Sequence, residues 1–564
     1  MVLNQKVNFF RMGSVKIPHY LEGLCMVLLF GYFSIGVFPF ALYETDALGV
    51  IAGCKKILET GRFEENYYTY NFQTQPGIYF WVITIHKVVQ ISLVTAYSAI
   101  SALFGIGFVL LSAYFLSRCI RVSFFVSTVS LFIFQEVYSA WYYMNSATGA
   151  AFFMMAAFVL ILSGNRPIRF IVSGILLALS AWTRFDVIIL FPVIIILVPH
   201  KSIWVKFIRA AITFFTFLVA IFILCYLSNA TNVLLEAMNG GGSLSFVDNQ
   251  KTASSFFTSQ FIRAFAGCFS ILSLVLIAWG LWLLKINKDI RVFFIFLVPV
   301  FLFLLFIAKH VVAGKHLLYY IPFFAIPVTY TFKWFITANF SKRLTFIGIV
   351  LPFFLLQYVL GIRVSLPSHP YVNEPYVSVK PEPTIFSLGT INVPLNVADS
   401  ITFVIGCGTK LSTSDEMLLS SGILFSPLMW YKLKQESQVE YNSISELINS
   451  TNEDTLHMTT SQGGVYPVKN LLYLNGFTLT NPENKLYVWG LDYTYKWRKP
   501  GKVIIVDQAT YPKDSYAKYV TKIRENKADV FTHIAFFDWE RWYVNQYSQP
   551  HKKISNVAYQ FAKR

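Results

Sequence analysis

The chain is built as a succession of apolar runs, each about twenty residues long, separated by short connections. A run of that length crosses the ~30 Å hydrocarbon core of a bilayer as a single helix. The first run covers residues 24–43. Others follow at 95–117, 124–142, 147–163, 170–182, 187–198, 210–227, 265–284, 292–308, 317–336 and 344–361. That makes about eleven spans, two of them short for a full crossing. Every second connection is short and basic. These connections carry Arg118 and Arg121, then Arg166 and Arg169, then Lys201, Lys206 and Arg209, then Lys285, Lys288 and Arg291, then Lys342 and Arg343. The positive-inside rule places them in the cytoplasm. The N-terminal segment, with Lys6, Arg11 and Lys16, then reads as a cytoplasmic leader into a retained first helix, not a cleaved signal peptide. An odd number of spans puts everything after Gly361 on the outer side.

Composition agrees with this reading. Charged residues are 13% of the 564 and apolar residues 55%, whereas a soluble chain carries about 25% charge. Disorder and a disulfide scaffold are excluded by the same figures. The net charge of +17 reflects loop Lys and Arg and attraction to anionic lipid, not nucleic-acid binding. The six cysteines, Cys25, Cys54, Cys119, Cys225, Cys268 and Cys407, show no metal-ligand spacing and mostly lie in or beside apolar runs. They read as packing thiols.

Residues 76–92 are apolar enough to resemble a span but hold His86 and Lys87 near the centre. Counting them as a span would invert every later loop. They are therefore read as an amphipathic helix lying on the outer interface. The outer connections are then 44–94, 143–146, 183–186, 228–264 and 309–316. The fourth opens beside Asn229-Ala230-Thr231, a glycosylation sequon close to a membrane end. After Gly361 apolar runs shorten to strand length, at 401–405, 485–490, 503–506 and 530–537, with a helical pattern at 515–524. The expected fold class is a polytopic α-helical membrane protein with a C-terminal extracytoplasmic α/β or α+β domain. Its parts are a transmembrane domain over 1–362, a Pro-rich linker over 363–383 and a soluble domain over 384–564.

The first outer loop is where chemistry is most readable. Glu44 and Asp46 stand where the first span leaves the bilayer. Leu48, Ile51, Ala52 and Lys55 follow at helical spacing, and Gly61 is placed to end that helix. A carboxylate at the rim of an apolar chamber loses hydration, which raises its pKa toward the range useful to a general base. The plainer alternative is that Asp46 caps a helix and Glu44 is a solvated interface charge.

An acid at the end of the first span, a short amphipathic helix, Gly61 fifteen residues later, then Gln75-Pro76-Gly77-Ile78-Tyr79-Phe80-Trp81 before an aromatic-rich helix resemble the GT-C glycosyltransferases. The likeness is to the polyprenyl-phosphate-sugar group that includes protein O-mannosyltransferases and the aminoarabinose transferase of lipid A. In that group a Lys- or Gln-Pro-Pro segment stands where Gln75-Pro76-Gly77 stands here. Lys315-His316-Leu317-Leu318-Tyr319-Tyr320-Ile321-Pro322 resembles the family's basic residue followed by Tyr-Ile/Leu-x-Pro. Thr183-Arg184-Phe185-Asp186 resembles its Thr-Arg turn. The chain departs from the pattern after its third span, where Asn145 occupies roughly the place of a second acid; Glu44 or Glu136 is left to supply one, or a single carboxylate suffices. One carboxylate and an amide make a poor divalent-ion cage, so no metal or other cofactor is expected.

The resemblance implies inverting transfer of a sugar from a polyprenyl-phosphate carrier to an acceptor hydroxyl or phosphate at the outer face of a bacterial inner membrane. The expected partners are that donor, a lipid, glycan or protein acceptor, and the bilayer. Asp46, with Glu44, would be catalytic; Arg184, Lys315 and His316 would hold the donor phosphate. Gln75, Tyr79, Trp81, Asn145, Asp186, Tyr319 and Tyr320 would line the substrate pocket. The aromatic members of that set equally suit an interface belt. Arg pairs with phosphate through two parallel hydrogen bonds and Lys acts as a point charge, while both also serve as snorkelling interface cations. A lipid-linked saccharide flippase or an O-antigen-type polymerase are the alternatives. The first would show repeated halves and mid-membrane ionisable groups, and the second would keep its largest polar segment between spans.

Overall fold

The structure, a computed structural model, describes residues 19–35, 45–63, 75–134, 137, 146–200, 202–230, 271–309, 318–354 and 474, and the strands at 362–365, 390–393, 401–405, 457–459, 503–507, 533–536 and 559–560. The helices in chain order are α1 (His19–Ser34), α2 (Thr45–Thr60), α3 (Pro76–Val89), α4 (Leu93–Ile120), α5 (Phe124–Phe132), α6 (Ser146–Leu162), α7 (Pro167–Thr183), α8 (Val193–Leu197), α9 (Ile203–Leu227), α10 (Ile271–Ile286), α11 (Ile290–Lys309), α12 (Ile321–Thr337) and α13 (Phe340–Phe354). A 3₁₀ helix, Phe185–Leu190, separates α7 from α8.

The ends of these helices are written locally. Gly61 adopts φ +67°, in the left-handed region, and its N–H donates to the Ile57 carbonyl, so α2 stops there. Pro76 and Pro167 open α3 and α7, where a missing N–H costs nothing. Ser92 and Ser123 accept from the N–H groups of Thr95 and Val126 and cap α4 and α5. Gln90, left-handed at φ 58°, ends α3, and α4 starts three residues later. The residues expected as an interface helix thus form α3, packed on α2, α4 and α7. At 28 residues α4 is about 42 Å long, more than a hydrocarbon core requires.

Among the described residues, α4 and α9 are long and apolar enough to cross a membrane by length and composition. Further apolar helices of 10–17 residues include Ala147–Leu162, Pro167–Thr183 and Leu272–Ile286. One face of α9 is open. Trp204 is 75% exposed, Phe215 69% and Leu227 71%, a surface suited to lipid and not to water. Small residues bring the inner helices together. Gly174 of α7 approaches the backbone at Thr213 and Phe217 of α9. Ser173 and Ser180 of α7 donate to the carbonyls of Ala157 and Ala150 on α6, at 3.2 and 2.6 Å. Gly280 of α10 lies against the carbonyl of Pro327 in α12, and Thr331 donates to Leu276 across the same crossing at 2.9 Å.

The apolar run at 187–198 is not one α-helix. Pro192 lacks an N–H and divides it into the 3₁₀ helix and the short α8. A 3₁₀ helix rises ~2.0 Å per residue against ~1.5 Å, so a short apolar segment gains reach. Asp186 accordingly lies in the 3₁₀ helix and not in a tight turn.

The connections α4–α5, α6–α7 and α10–α11 and the ends of α9, α12 and α13 carry the basic residues. Lys333 of α12 donates to the Ile120 carbonyl at 2.8 Å, Arg209 of α9 to the Asn165 side chain at 2.5 Å, and Arg343 of α13 to the Ile336 carbonyl. In the C-terminal part β1 (Ile362–Ser365), β2 (Thr390–Val393) and β3 (Ile401–Ile405) form an antiparallel sheet in the order β1-β3-β2. A second sheet runs β4-β5-β6-β7, from His457–Thr459, Val503–Asp507, His533–Phe536 and Tyr559–Gln560, with β4, β5 and β6 parallel and β7 antiparallel. The strands expected at 401–405, 503–506 and 530–537 correspond to β3, β5 and β6. The segments 485–490 and 515–524 lie outside the described residues.

Candidate active site

The site begins on α2. Residues Ala47, Ile51, Cys54 and Ile57 recur at helical spacing and are buried in the core. The Cys54 thiol donates to the Tyr79 carbonyl of α3 at 3.8 Å. Burial pushes that thiol well above its ordinary pKa, so it stays protonated and serves as a packing group. On another flank, Lys55 forms an ion pair with Glu59 at 3.9 Å and donates to the Leu474 carbonyl at 3.4 Å; Leu474 itself packs on the core. The helix that begins beside Asp46 is thus held from α3 and from the C-terminal part of the chain. Asp46 lies in its first turn, eight residues and about 12 Å along the axis from Cys54.

α3 is the second wall. Gln75 precedes its first turn, and Tyr79 is 2% exposed. Phe63, just past α2, stacks on Phe80 with ring centroids 3.9 Å apart, and Phe80 meets Trp182 at 4.9 Å. Trp81 stacks on Phe153 at 5.3 Å, and its indole N–H donates to the Thr183 hydroxyl at 3.3 Å. Gly77 allows this approach. A Cβ there would come within 2.9 Å of the Thr183 Cα and of Trp182. This glycine stands where the resembling family has a proline.

The third wall is the end of α7. Thr183 closes the helix, and Arg184 leaves it in extended backbone, φ −161° and ψ 119°, with its N–H donating to the Ser180 carbonyl at 2.9 Å. Trp182 donates to the Ser228 hydroxyl at 3.1 Å, which ties α7 to the end of α9. Arg184 is half-buried. The geometry therefore brings α3, through Gly77 and Trp81, against the end of α7 that carries Arg184, while Tyr79 is buried and receives the Cys54 thiol of α2 on its carbonyl.

The other expected residues fall differently. Tyr319 and Tyr320 precede α12, each 1% exposed, and Tyr320 packs on Phe303 of α11 at 5.1 Å. For Asp46 and Asp186 the structure describes the backbone, not the side chain. Glu44, Glu136, Asn145, Lys315 and His316 lie outside the described residues. Among the described residues no group of three or more His, Cys, Asp or Glu is placed to hold a metal. Gly77, Trp182, Thr183 and Ser228 were not singled out as site residues from the sequence. The sequence signal was local for Thr183, in the Thr-Arg pair, and absent for Ser228.

By sequence the chain matches no known protein-family pattern and no curated protein. By structure it is similar to ArnT from Cupriavidus metallidurans bound to undecaprenyl phosphate, with a TM-score of 0.52 and 12% identity, over 92% of this chain and 96% of that one. The apo state of the same ArnT superposes with a TM-score of 0.47 and 11% identity, over 90% and 88% of the two chains. The chain shares the fold of this ArnT.

Proposed function

We propose that this chain is an integral membrane glycosyltransferase that takes a sugar from a polyprenyl-phosphate carrier and transfers it to an acceptor hydroxyl or phosphate. The observation that carries this reading is the fold shared, over nearly the whole of both chains, with an ArnT that binds undecaprenyl phosphate. The cation at the end of α7 and the acid at the head of α2 supply the chemistry. Asp46 accepts the proton of the acceptor hydroxyl. The freed oxygen attacks the anomeric carbon from the face opposite the phosphate. The bond from that carbon to the phosphate oxygen breaks, and its electron pair leaves with the carrier. Arg184, with Lys315, compensates the charge on the departing phosphate. The configuration at the anomeric carbon inverts. The basic end of the bundle is cytoplasmic on this reading, and the site faces the periplasm.

The test is transfer by the full chain in nanodiscs supplied with undecaprenyl-phosphate-linked sugars, following release of undecaprenyl phosphate. Asp46→Asn is expected to lower turnover by about 10³-fold, within the range of a lost general base, with the thermal unfolding midpoint unchanged. Wild-type turnover in that variant would remove the mechanism.

A further inference from the structure

We infer that Thr183 is a positioning residue for Arg184, acting through a hydrogen bond that locks α3 onto the end of α7. This rests on the proposed role of Arg184 toward a carrier phosphate. Three helices meet at Thr183. Its hydroxyl donates to the Leu179 carbonyl of its own helix at 2.7 Å and accepts the Trp81 indole N–H of α3 at 3.3 Å. Its methyl group faces Gly149 of α6, where an added Cβ would stand 3.1 Å away, and its Cα faces Gly77 of α3. Thr183 thus meets α6 with its methyl group and α3 with its hydroxyl and its Cα, and a hydroxyl has one proton to donate, here spent on Leu179.

The consequence falls on the next residue. Arg184 follows directly, and its backbone changes there from helical to extended. The direction of its Cα–Cβ bond is set by where the α7 end is held. The Ser180 carbonyl holds the Arg184 N–H at 2.9 Å, and Ser180 is itself anchored to Ala150 of α6. Trp182 is anchored to Ser228. Trp81–Thr183 is the hydrogen bond through which α3 joins this arrangement. An arginine binds phosphate through two parallel hydrogen bonds, so its grip depends on orientation more than a lysine's would.

The experiment measures binding of undecaprenyl phosphate to the full chain in nanodiscs, together with the thermal unfolding midpoint. Thr183→Val keeps the shape and loses the hydroxyl; Thr183→Ser keeps the hydroxyl. Thr183→Val is expected to raise Kd about tenfold with little change in midpoint, and Thr183→Ser to bind within about twofold of wild type. Trp81→Phe, which removes the donor from the other side, is expected to follow Thr183→Val. Wild-type binding by both Thr183→Val and Trp81→Phe, with Arg184→Ala impaired, overturns the inference and leaves the proposed function standing. So does a loss of binding in Thr183→Val that comes with a lowered midpoint and is not rescued by serine. Wild-type binding by Arg184→Ala, or no binding by the wild-type chain, overturns the role of Arg184 and this inference with it.

Discussion

The two ends of the helical bundle are closed by different chemistry. At one end, long cations reach the last carbonyls of neighbouring helices. Lys333 caps Ile120, Arg343 caps Ile336, and Arg209 holds the Asn165 side chain. Cations are favoured there because the C-terminal end of a helix carries partial negative charge. At the other end the helices are joined by neutral groups. Indole N–H groups donate to hydroxyls, as Trp81 to Thr183 and Trp182 to Ser228, and glycines let backbones approach. Positive charge at the first end is used to terminate helices. At the second, these joints run through neutral side chains, and Arg184 follows directly on one of them, Thr183.

Charge removal should therefore have opposite consequences at the two ends. Arg184→Ala is expected to weaken undecaprenyl phosphate binding by about a hundredfold, the value of a bidentate charge-assisted contact, with the unfolding midpoint little changed. Lys333→Gln is expected to leave binding within about twofold and to cost about 1–3 kcal/mol of stability, because it removes a charged donor from a carbonyl. Binding titrations and thermal unfolding of the two variants decide the matter. If Lys333→Gln also abolished binding, the division between a structural end and a ligand end would be lost.

Glycine positions sharpen the same contrast at a smaller scale. Gly77→Ala would press a Cβ against the Thr183 backbone, and Gly280→Ala would press one against the Pro327 carbonyl. Each collision is with backbone, which yields poorly, and overpacking of this kind costs about 1–3 kcal/mol. Both variants are expected to unfold at lower temperature. Only Gly77→Ala should also lower turnover beyond what its stability explains, because it displaces the helix that touches the Arg184 turn. Equal turnover per folded molecule in the two variants would separate α3 from the site.

Much of the helical framework was legible because its determinants are local. Apolar length located α4, α6, α9, α10 and α11 to within a few residues where their ends are described, apart from the start of α9, seven residues before the expected one. Gly61 ended α2, and the run after Pro76 is a helix, α3, as its apolar pattern suggested. The 3₁₀ segment was less legible, since Pro192 alone does not say whether a short apolar run kinks or changes pitch. The Thr183 junction was not legible as a unit. It joins residues 102 and 46 positions apart, Trp81 with Thr183 and Trp182 with Ser228, and no local pattern encodes such a meeting. Tyr319 and Tyr320 show the converse. Their Tyr-Tyr motif suggested a pocket wall, while both are 1% exposed and Tyr320 packs against Phe303.

The mildest test concerns whether α2 is seated on α3, as the site requires. Cys54 is a free thiol, fully buried, donating to the Tyr79 carbonyl. Only a thiolate reacts quickly with maleimides. Burial raises the pKa of this thiol, so its thiolate fraction at pH 8 falls below that of an ordinary cysteine, whose pKa is about 8.5. A membrane-impermeant maleimide at pH 8 should leave Cys54 unlabelled in the folded chain and label it after denaturation. Raising the pH to 9 should change little, since the folded-state pKa lies higher still. Gly77→Ala, if it loosens α3 from α7 while α2 follows α3, should leave the thiol protected. Labelling of Cys54 in the folded wild-type chain would mean that α2 moves independently, and the head of α2 would then have no fixed distance from Arg184.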